Sequence, residues 1–254
     1  MTHDDVLGLR YAAGSDTGRR RSGNEDSVFT SPRLLAVADG MGGHAHGEVA
    51  SELAMAAIAD LDRRVADLDP AELEPETALR QAVADAAGRL DEQVAGDADL
   101  AGMGTTLTAL LWDGTRFTLA HIGDSRGYLL RDGELSRLTK DHTVVQSLVD
   151  EGSLAPELAA GHPHRSVLTR ALLAESPAEP DVAALDVRPG DRYLLCSDGL
   201  TDAVDDEDIQ DVLATVTEPA QAVRTLIDLA NDNGGPDNIT CVVADVTGGH
   251  DRGQ

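Results

Sequence analysis

One stretch of this sequence carries residue types that could do chemistry at once: Leu34-Leu-Ala-Val-Ala-Asp39-Gly40-Met41-Gly42-Gly43-His44. A short apolar run ends in a carboxylate, and glycines follow. Such a run, bounded by a turn signal, reads as a buried strand. The glycines let the backbone bend sharply and expose its peptide groups. Asp39 is then expected at the rim of a sheet, with the Gly40 carbonyl beside it. Carboxylate and carbonyl oxygens suit a hard divalent cation such as Mg²⁺ or Mn²⁺. Three more aspartates stand in comparable settings: Asp26 in Asn24-Glu25-Asp26-Ser27, Asp198 in Cys196-Ser197-Asp198-Gly199, and Asp237 in Gly234-Gly235-Pro236-Asp237-Asn238. A lone Asp in so acidic a chain is ordinarily a solvated or turn-forming residue. Here the strand-like runs 34–38, 193–196 and 239–246 each adjoin one. Acids at the mouths of distant strands can assemble a site for two metals ~3.5–4 Å apart, with one carboxylate bridging them.

The elements that must position these acids can be read from periodicity. Residues 6–11 alternate and suggest a first strand; 27–29 and 34–38 suggest a hairpin pair. Over 48–65, Val49, Leu53, Ala56 and Ala57 recur at helical spacing, continued by Ile58 and Leu61. Asp69-Pro70 breaks the pattern. Over 71–94 a second helix is expected, with Leu79, Val83, Ala86, Leu90 and Val94 on one stripe. The short connection suggests an antiparallel helix pair, and the length of the apolar faces calls for a sheet beneath it. Runs 105–112 and 116–122 flank Asp113-Gly114; runs 127–130 and 135–138 flank Asp132-Gly133. Asp-Gly between apolar runs is the strongest short-range hairpin signal, so an antiparallel meander is expected. Residues 143–174 begin as a helix and contain Gly161-His-Pro-His164; they read as an excursion from the sheet, a flap. Pro163 between His162 and His164 favours a loop there over a pair of metal ligands. Runs 182–187 and 192–196 suggest a hairpin across Arg188-Pro-Gly190; 206–213 and 219–230 suggest helices; 239–246 suggests a last strand. This order predicts an α+β fold: an antiparallel β-sandwich flanked by helix pairs on both outer faces (αββα). One domain is expected over 1–246, with a loose tail at 247–254.

Composition narrows the partners. The 254 residues carry a formal net charge of −26, and Lys140 is the single lysine. Such a surface repels phosphate backbones and anionic membranes, so neither nucleic acid nor a lipid surface is expected as a partner. Aromatic residues make up 2% of the chain, so Ala, Val and Leu must fill its core. Cys196 and Cys241 both lie in apolar strand-like runs and read as buried free thiols in a reducing compartment. The acidic start Met1-Thr-His-Asp-Asp is unlike a signal peptide. No uncharged apolar run approaches the ~18 residues that suggest a membrane span. A cytoplasmic monomer is the expectation.

Eight motifs occur in an order that resembles the metal-dependent protein phosphatases of type 2C (the PPM family) in their compact bacterial form. They are Arg21-x-x-Asn24-Glu25-Asp26, Asp39-Gly-Met-Gly-Gly-His44, Gly47-Glu48-x-Ala50-Ser51, Gly102-x-Gly104-Thr105-Thr106, His121-Ile-Gly-Asp124-Ser-Arg126, Leu168-Thr-Arg-Ala171, Cys196-Ser-Asp-Gly199 and Gly235-Pro-Asp-Asn238-x-Thr240. They span about residues 10–246. The resemblance implies hydrolysis of phosphoserine and phosphothreonine in proteins by a water activated at a binuclear metal centre. It implies two tight Mn²⁺ or Mg²⁺ ions, with Asp39 bridging them and the Gly40 carbonyl, Asp198 and Asp237 completing the set. It implies a third, weaker ion at Asp124 and Asp198. Glu25 and Asp26 would hold waters of the metal centre, and Arg21 would grip the substrate phosphate. A guanidinium offers phosphate a planar fork that an ammonium lacks. The implied substrates are phosphorylated proteins, a bacterial serine/threonine kinase and its targets among them.

One position departs from part of that family. Where some members place a histidine directly after Asp-Gly, to protonate the leaving alkoxide, this chain has Met41. The general acid is then unassigned: His44 is a candidate, although a structural hydrogen bond to the glycine turn suits it better, and a metal-bound water or no dedicated acid is equally open. Two other readings share the motifs. A phosphohydrolase of small molecules has the same site chemistry. A catalytically inert relative would lack a key aspartate, whereas Asp26, Asp39, Asp198 and Asp237 are all present. The resemblance leaves open whether the chain is a free-standing enzyme or a catalytic domain.

Overall fold

Alternation within single strands decides how the layers stack. In β3 (Leu34–Met41), Leu34, Ala36 and Ala38 face one way, and Leu35 and Val37 face the other. The first set packs under helices and the second against another sheet, because successive side chains of a strand point to opposite faces. β12 (Ile239–Thr247) does the same: Cys241 and Val243 face helices, while Val242, Ala244 and Val246 face the opposing sheet. These features come from a computed structural model that describes residues 7–42, 46–69, 72–159, 161–176 and 178–248.

Two sheets result. One has five strands in the order β1 (Gly8–Asp16), β12, β11 (Arg192–Cys196), β7 (Arg126–Arg131) and β8 (Glu134–Arg137). The other runs β10 (Asp181–Leu185), β6 (Phe117–Ile122), β5 (Leu107–Trp112), β3, β4 (Gly104–Thr105) and β9 (Leu172–Leu173), with β2 (Asp26–Thr30) also on β3. The pairings are antiparallel. Trp112, Phe117 and Tyr193 stack in the interface between the sheets, with ring centroids 5.0 and 4.9 Å apart.

Helices cover both outer faces. α1 (His46–Ala66) and α2 (Pro75–Gly96) lie on the sheet of β3. Arg89 pairs with Asp60, and Arg64 with Asp85, so the two helices run in opposite directions. α4 (Asp198–Thr201), α5 (Asp206–Thr215) and α6 (Pro219–Asp232) lie on the sheet of β12. In α6, Ala222, Val223, Leu226 and Ala230 form the buried stripe that meets Cys241 and Val243. Both cysteines are free and buried, opposite one another on β11 and β12. α2 starts at Pro75, later than residue 71, because proline suits the first turn of a helix, where no N–H is needed.

Two expectations of strand pairing are corrected. Residues 182–187 and 192–196 are not a hairpin: β10 pairs with β6, whereas β11 pairs with β7 and β12 in the other sheet. The Pro-Gly turn reverses the chain, but its polar groups anchor it elsewhere. Asp191 accepts from the Arg188 N–H and from Arg131, and the Gly190 N–H donates to Val246 O. Likewise the meander is split. β5–β6 and β7–β8 are hairpins of different sheets, and the chain crosses between them at Gly123, with φ of +111°. The Asp132-Gly133 turn has positive φ at both residues (55° and 85°), as a two-residue hairpin with type I′ geometry requires.

After residue 143 the chain leaves the sheets through α3 (Val144–Asp150), which Thr143 caps by accepting from the Gln146 N–H. It returns as β9 on β4. His162 and His164 sit in a turn, where His162 Nδ1 accepts from the His164 N–H. No helix among the described residues is long and apolar enough to cross a membrane.

Arg192 ties β11 to the helical layer. Buried at 8% exposure, it donates to Asp245 and to the carbonyls of Leu213, Val216 and Thr217. Removing one partner of a buried ion pair costs roughly 3–5 kcal/mol. Arg192→Met is expected to lower unfolding free energy by about that amount, measured by urea denaturation. A loss under ~1 kcal/mol would show that these contacts are solvent-like.

Candidate active site

The strand ends bring the predicted residues to one end of the sandwich. β3 ends at Asp39 and Gly40, and β2 begins at Asp26, directly opposite Asp39 in the ladder. β11 leads into Asp198, β12 follows Asp237, and the β6–β7 crossing carries Asp124. Arg21, Glu25, Asp39, Gly40, Asp124, Asp198 and Asp237 all line one cavity of about 410 Å³. Asp26 lies behind its wall, 9% exposed.

The backbone under these carboxylates is fixed from several sides. The Asp39 N–H donates to Thr106 Oγ1 (2.9 Å), and its carbonyl accepts from the Thr106 N–H and from Thr105 Oγ1. Gly40 is enclosed: a Cβ there would stand 2.0 Å from Gly47 O and 2.5 Å from Glu25 O, so only glycine lets these segments meet. Asn238 joins three more. Its side-chain oxygen accepts from the Glu25 N–H (2.8 Å), and its amide donates to Thr17 O and Gly23 O (both 2.9 Å). The Arg19 and Arg20 N–H groups donate to Gly235 O, which presses the arginine segment against the turn before Asp237.

Burial and crowded negative charge together set the electrostatics. Burial, then the charges of Asp198, Asp26 and Asp124, push Asp39 well above the usual carboxylate range. Burial, then Asp124, Asp202 and Asp237, do the same to Asp198. Both keep some surface toward the cavity, while protein encloses them elsewhere. Burial pushes Asp26 up to about 6, against the hydrogen bond from Ser197 Oγ (2.7 Å). Burial and Asp141 raise Asp124 to about 6. Arg21 reaches in, its Nη2 donating to Asp237 Oδ2 at 2.6 Å.

This donor set fits hard divalent cations. It is all oxygen, its charge is offset only in part by Arg21, and Asp26 Oδ1 is buried without a hydrogen-bond partner. Among the described residues, no three acidic, thiol or imidazole side chains already close around a single point; the carboxylates ring the cavity instead. Met41 lines the cavity and has no proton to give. His44 lies outside the described residues.

The sequence pattern of the family described as protein phosphatase 2C matches residues 14–231. The chain belongs to the protein phosphatase 2C family. Among its relatives, the serine/threonine protein phosphatase PstP of Mycobacterium tuberculosis is 54% identical over 249 residues, covering 98% of this chain and 47% of PstP. The chain thus spans about half the length of that relative. The serine/threonine phosphatase Stp of Listeria monocytogenes is 38% identical over 236 residues, covering 91% of this chain and 93% of Stp. A crystal structure of the PstP catalytic domain in complex with two manganese ions matches at a TM-score of 0.87 and 53% identity, over 95% of this chain and 99% of that one. The two antiparallel sheets between helices are the architecture of these phosphatases.

Some residues at this cavity escaped sequence reasoning. Ser197 donates to Asp26 and accepts from the Thr240 N–H (3.0 Å). Arg165, Ser166 and Asp202 line the cavity, with Arg165 and Asp202 paired at 2.8 Å. Ser197 had a usable signal, a hydroxyl between the buried Cys196 and Asp198. The 143–174 segment has no periodicity that would have aimed Arg165 or Ser166 at the strand mouths.

Asn238→Asp keeps the acceptor for the Glu25 N–H but removes both donors. Both acceptors are only part-buried, so losing each contact costs toward the lower end of ~1–3 kcal/mol. A thermal melt is expected to shift down by at least about 3 °C, at 2–4 °C per kcal/mol for a domain of this size. An unchanged melting temperature would refute this bracing role.

Proposed function

We propose that this chain is a metal-dependent protein serine/threonine phosphatase, hydrolysing phosphoserine and phosphothreonine and so reversing the work of a serine/threonine kinase. The observation that carries this reading is the ring of half-buried carboxylates, drawn from both sheets, around one cavity with Arg21 at its mouth. The two manganese ions of the PstP catalytic domain support it.

Asp39 would bridge two Mn²⁺ or Mg²⁺ ions, held further by the Gly40 carbonyl, Asp198 and Asp237. Asp124, with Asp198, would hold a third and weaker ion. When bound, the metal pair supplies an activated water and offsets the charge of the substrate phosphate. The chain's own residues do the rest. Glu25 lines the cavity and can accept hydrogen bonds from water there, while Asp26, buried behind the wall opposite Asp39, would offer its unpaired oxygen to a water of the metal centre. Arg21 and Asp237 are 49% and 32% exposed. Such exposed pairs are worth ~0–1 kcal/mol, so a phosphate oxygen can replace the carboxylate at little cost. The 143–174 segment brings Arg165 and Ser166 to the rim, where a protein substrate would meet them.

Phosphate release from a phosphothreonine peptide should require added Mn²⁺ or Mg²⁺ and cease with chelator. Full turnover in excess chelator would sink the reading. Higher kcat/KM on nucleotides or phosphosugars than on the peptide would favour a small-molecule phosphohydrolase instead. Asp39→Asn should nearly abolish turnover, and calorimetry should show loss of the tight ion pair; two tight ions retained would remove Asp39 as the bridge.

Arg21→Ala should leave metal binding nearly intact and lower kcat/KM roughly tenfold to hundredfold, from a charge-assisted contact of about 1.5–3 kcal/mol. Arg21→Lys should recover only part of it. Arg19→Ala and Arg20→Ala should cost far less. A silent Arg21→Ala beside a damaging Arg20→Ala would overturn the phosphate role.

A further inference from the structure

Outside the cavity lies a buried junction built around His142, whose side chain is 3% exposed. Its Nδ1 accepts from the Gly123 N–H at 3.1 Å, and its own N–H donates to Gly123 O at 2.8 Å. One residue therefore engages both peptide groups of Gly123. Gly123 has φ of +111°, and a Cβ there would stand 2.5 Å from Thr106 Cγ2, so this turn depends on glycine. The next residue is Asp124.

The opposite edge of the ring faces Asp181, the first residue of β10. His142 Nε2 lies 3.1 Å from Asp181 Oδ2, and Arg170 grips the same carboxylate through Nη1 (2.8 Å) and Nη2 (3.3 Å). Because Nδ1 accepts, the ring proton sits on Nε2 and points at Asp181. The His142 carbonyl accepts from the Thr169 N–H at 2.8 Å, and Thr143 bridges to Leu168. The chain thus enters and leaves this excursion beside His142. The charged and titratable groups around the ring are Asp181, Arg170, Asp141 and, at 4.7 Å between ring centroids, His121. Burial keeps His142 below its ordinary pKa, which preserves the acceptor on Nδ1.

We propose that His142 is a positioning residue that clamps the base of the 143–169 excursion to the Gly123–Asp124 turn and so holds the Asp124 carboxylate at the cavity wall. His142 does not line the cavity itself, so it acts through Gly123. The inference rests on the reading above, that Asp124 serves a weaker third ion, and adds what holds that carboxylate in place.

Three substitutions separate the two edges of the ring. Asparagine can put its amide oxygen where Nδ1 stands, glutamine reaches toward the Nε2 position, and alanine does neither. The readouts, on the whole chain, are hydrogen exchange of the Gly123 amide without metal and calorimetric titration with Mn²⁺. Thermal melts confirm folding. His142→Ala and His142→Gln should speed Gly123 exchange and weaken the Asp124-dependent ion, each roughly tenfold to hundredfold, the scale of an orphaned buried donor. His142→Asn should restore both, and the tight ions should be little changed throughout. A protected Gly123 amide in His142→Ala overturns the proposal. So does a freed amide with unaltered weak-ion binding, or equal losses in all three variants. Asp124→Asn tells the layers apart. If it removes the weak ion while His142→Ala leaves it, only the His142 inference falls. If it leaves the Mn²⁺ titration untouched, the metal role of Asp124 falls and takes this inference with it.

Discussion

Like-charge crowding is the interaction on which this structure turns. Asp26 and Asp39 oppose each other on adjacent strands, and Asp198, Asp124 and Asp237 close in from the other sheet and the crossing between them. Directly opposed like charges weaken a strand pair, and burying a carboxylate without a counter-ion costs more. The raised proton affinities of Asp26, Asp39, Asp124 and Asp198 are that cost made visible. A site of this kind stores unfavourable energy when empty of cations, and cation binding releases it. Metal affinity and folding stability are then two readings of one quantity.

Such a cluster persists only if the surrounding fold holds it in place. The three apolar layers do so at long range: helices on β3, aromatic residues between the sheets, helices on β12. At short range the work falls to polar groups touching backbone. Thr105 and Thr106 grip Asp39, Ser51 Oγ donates to Glu25 O at 2.6 Å, and Asn238 gathers three segments. None of these needs a metal to be satisfied, so the cavity walls are organised before a ligand arrives.

What the sequence disclosed follows the range of each signal. The helices over α1 and α6 and the Asp-Gly hairpins were legible because helical spacing and turn chemistry are local. Asp39, Asp198 and Asp237 were legible because each adjoins an apolar run, and the eight motifs supplied their grouping. The partner of β10 was not legible. Pro189-Gly190 announces a reversal, yet whether the returning strand pairs back or crosses to the other sheet depends on Asp191 and Val246, which are remote from the turn's own pattern. For the same reason the sequence could not show that the β6–β7 link changes sheets at Gly123. The roles of Ser197 and Arg165 depend on contacts across more than thirty residues, such as the Arg165–Asp202 pair, and no periodicity encodes them.

The last strand is not an edge strand. β12 lies between β1 and β11, pairing with both, and Asp237 stands at its entrance. During synthesis the first sheet therefore cannot close until β12 has left the ribosome. Until then β1 has no neighbour in that sheet, and the cavity lacks one wall. Contacts joining distant parts of a chain form late. A chain whose β12 has not yet emerged therefore lacks the finished ring of carboxylates.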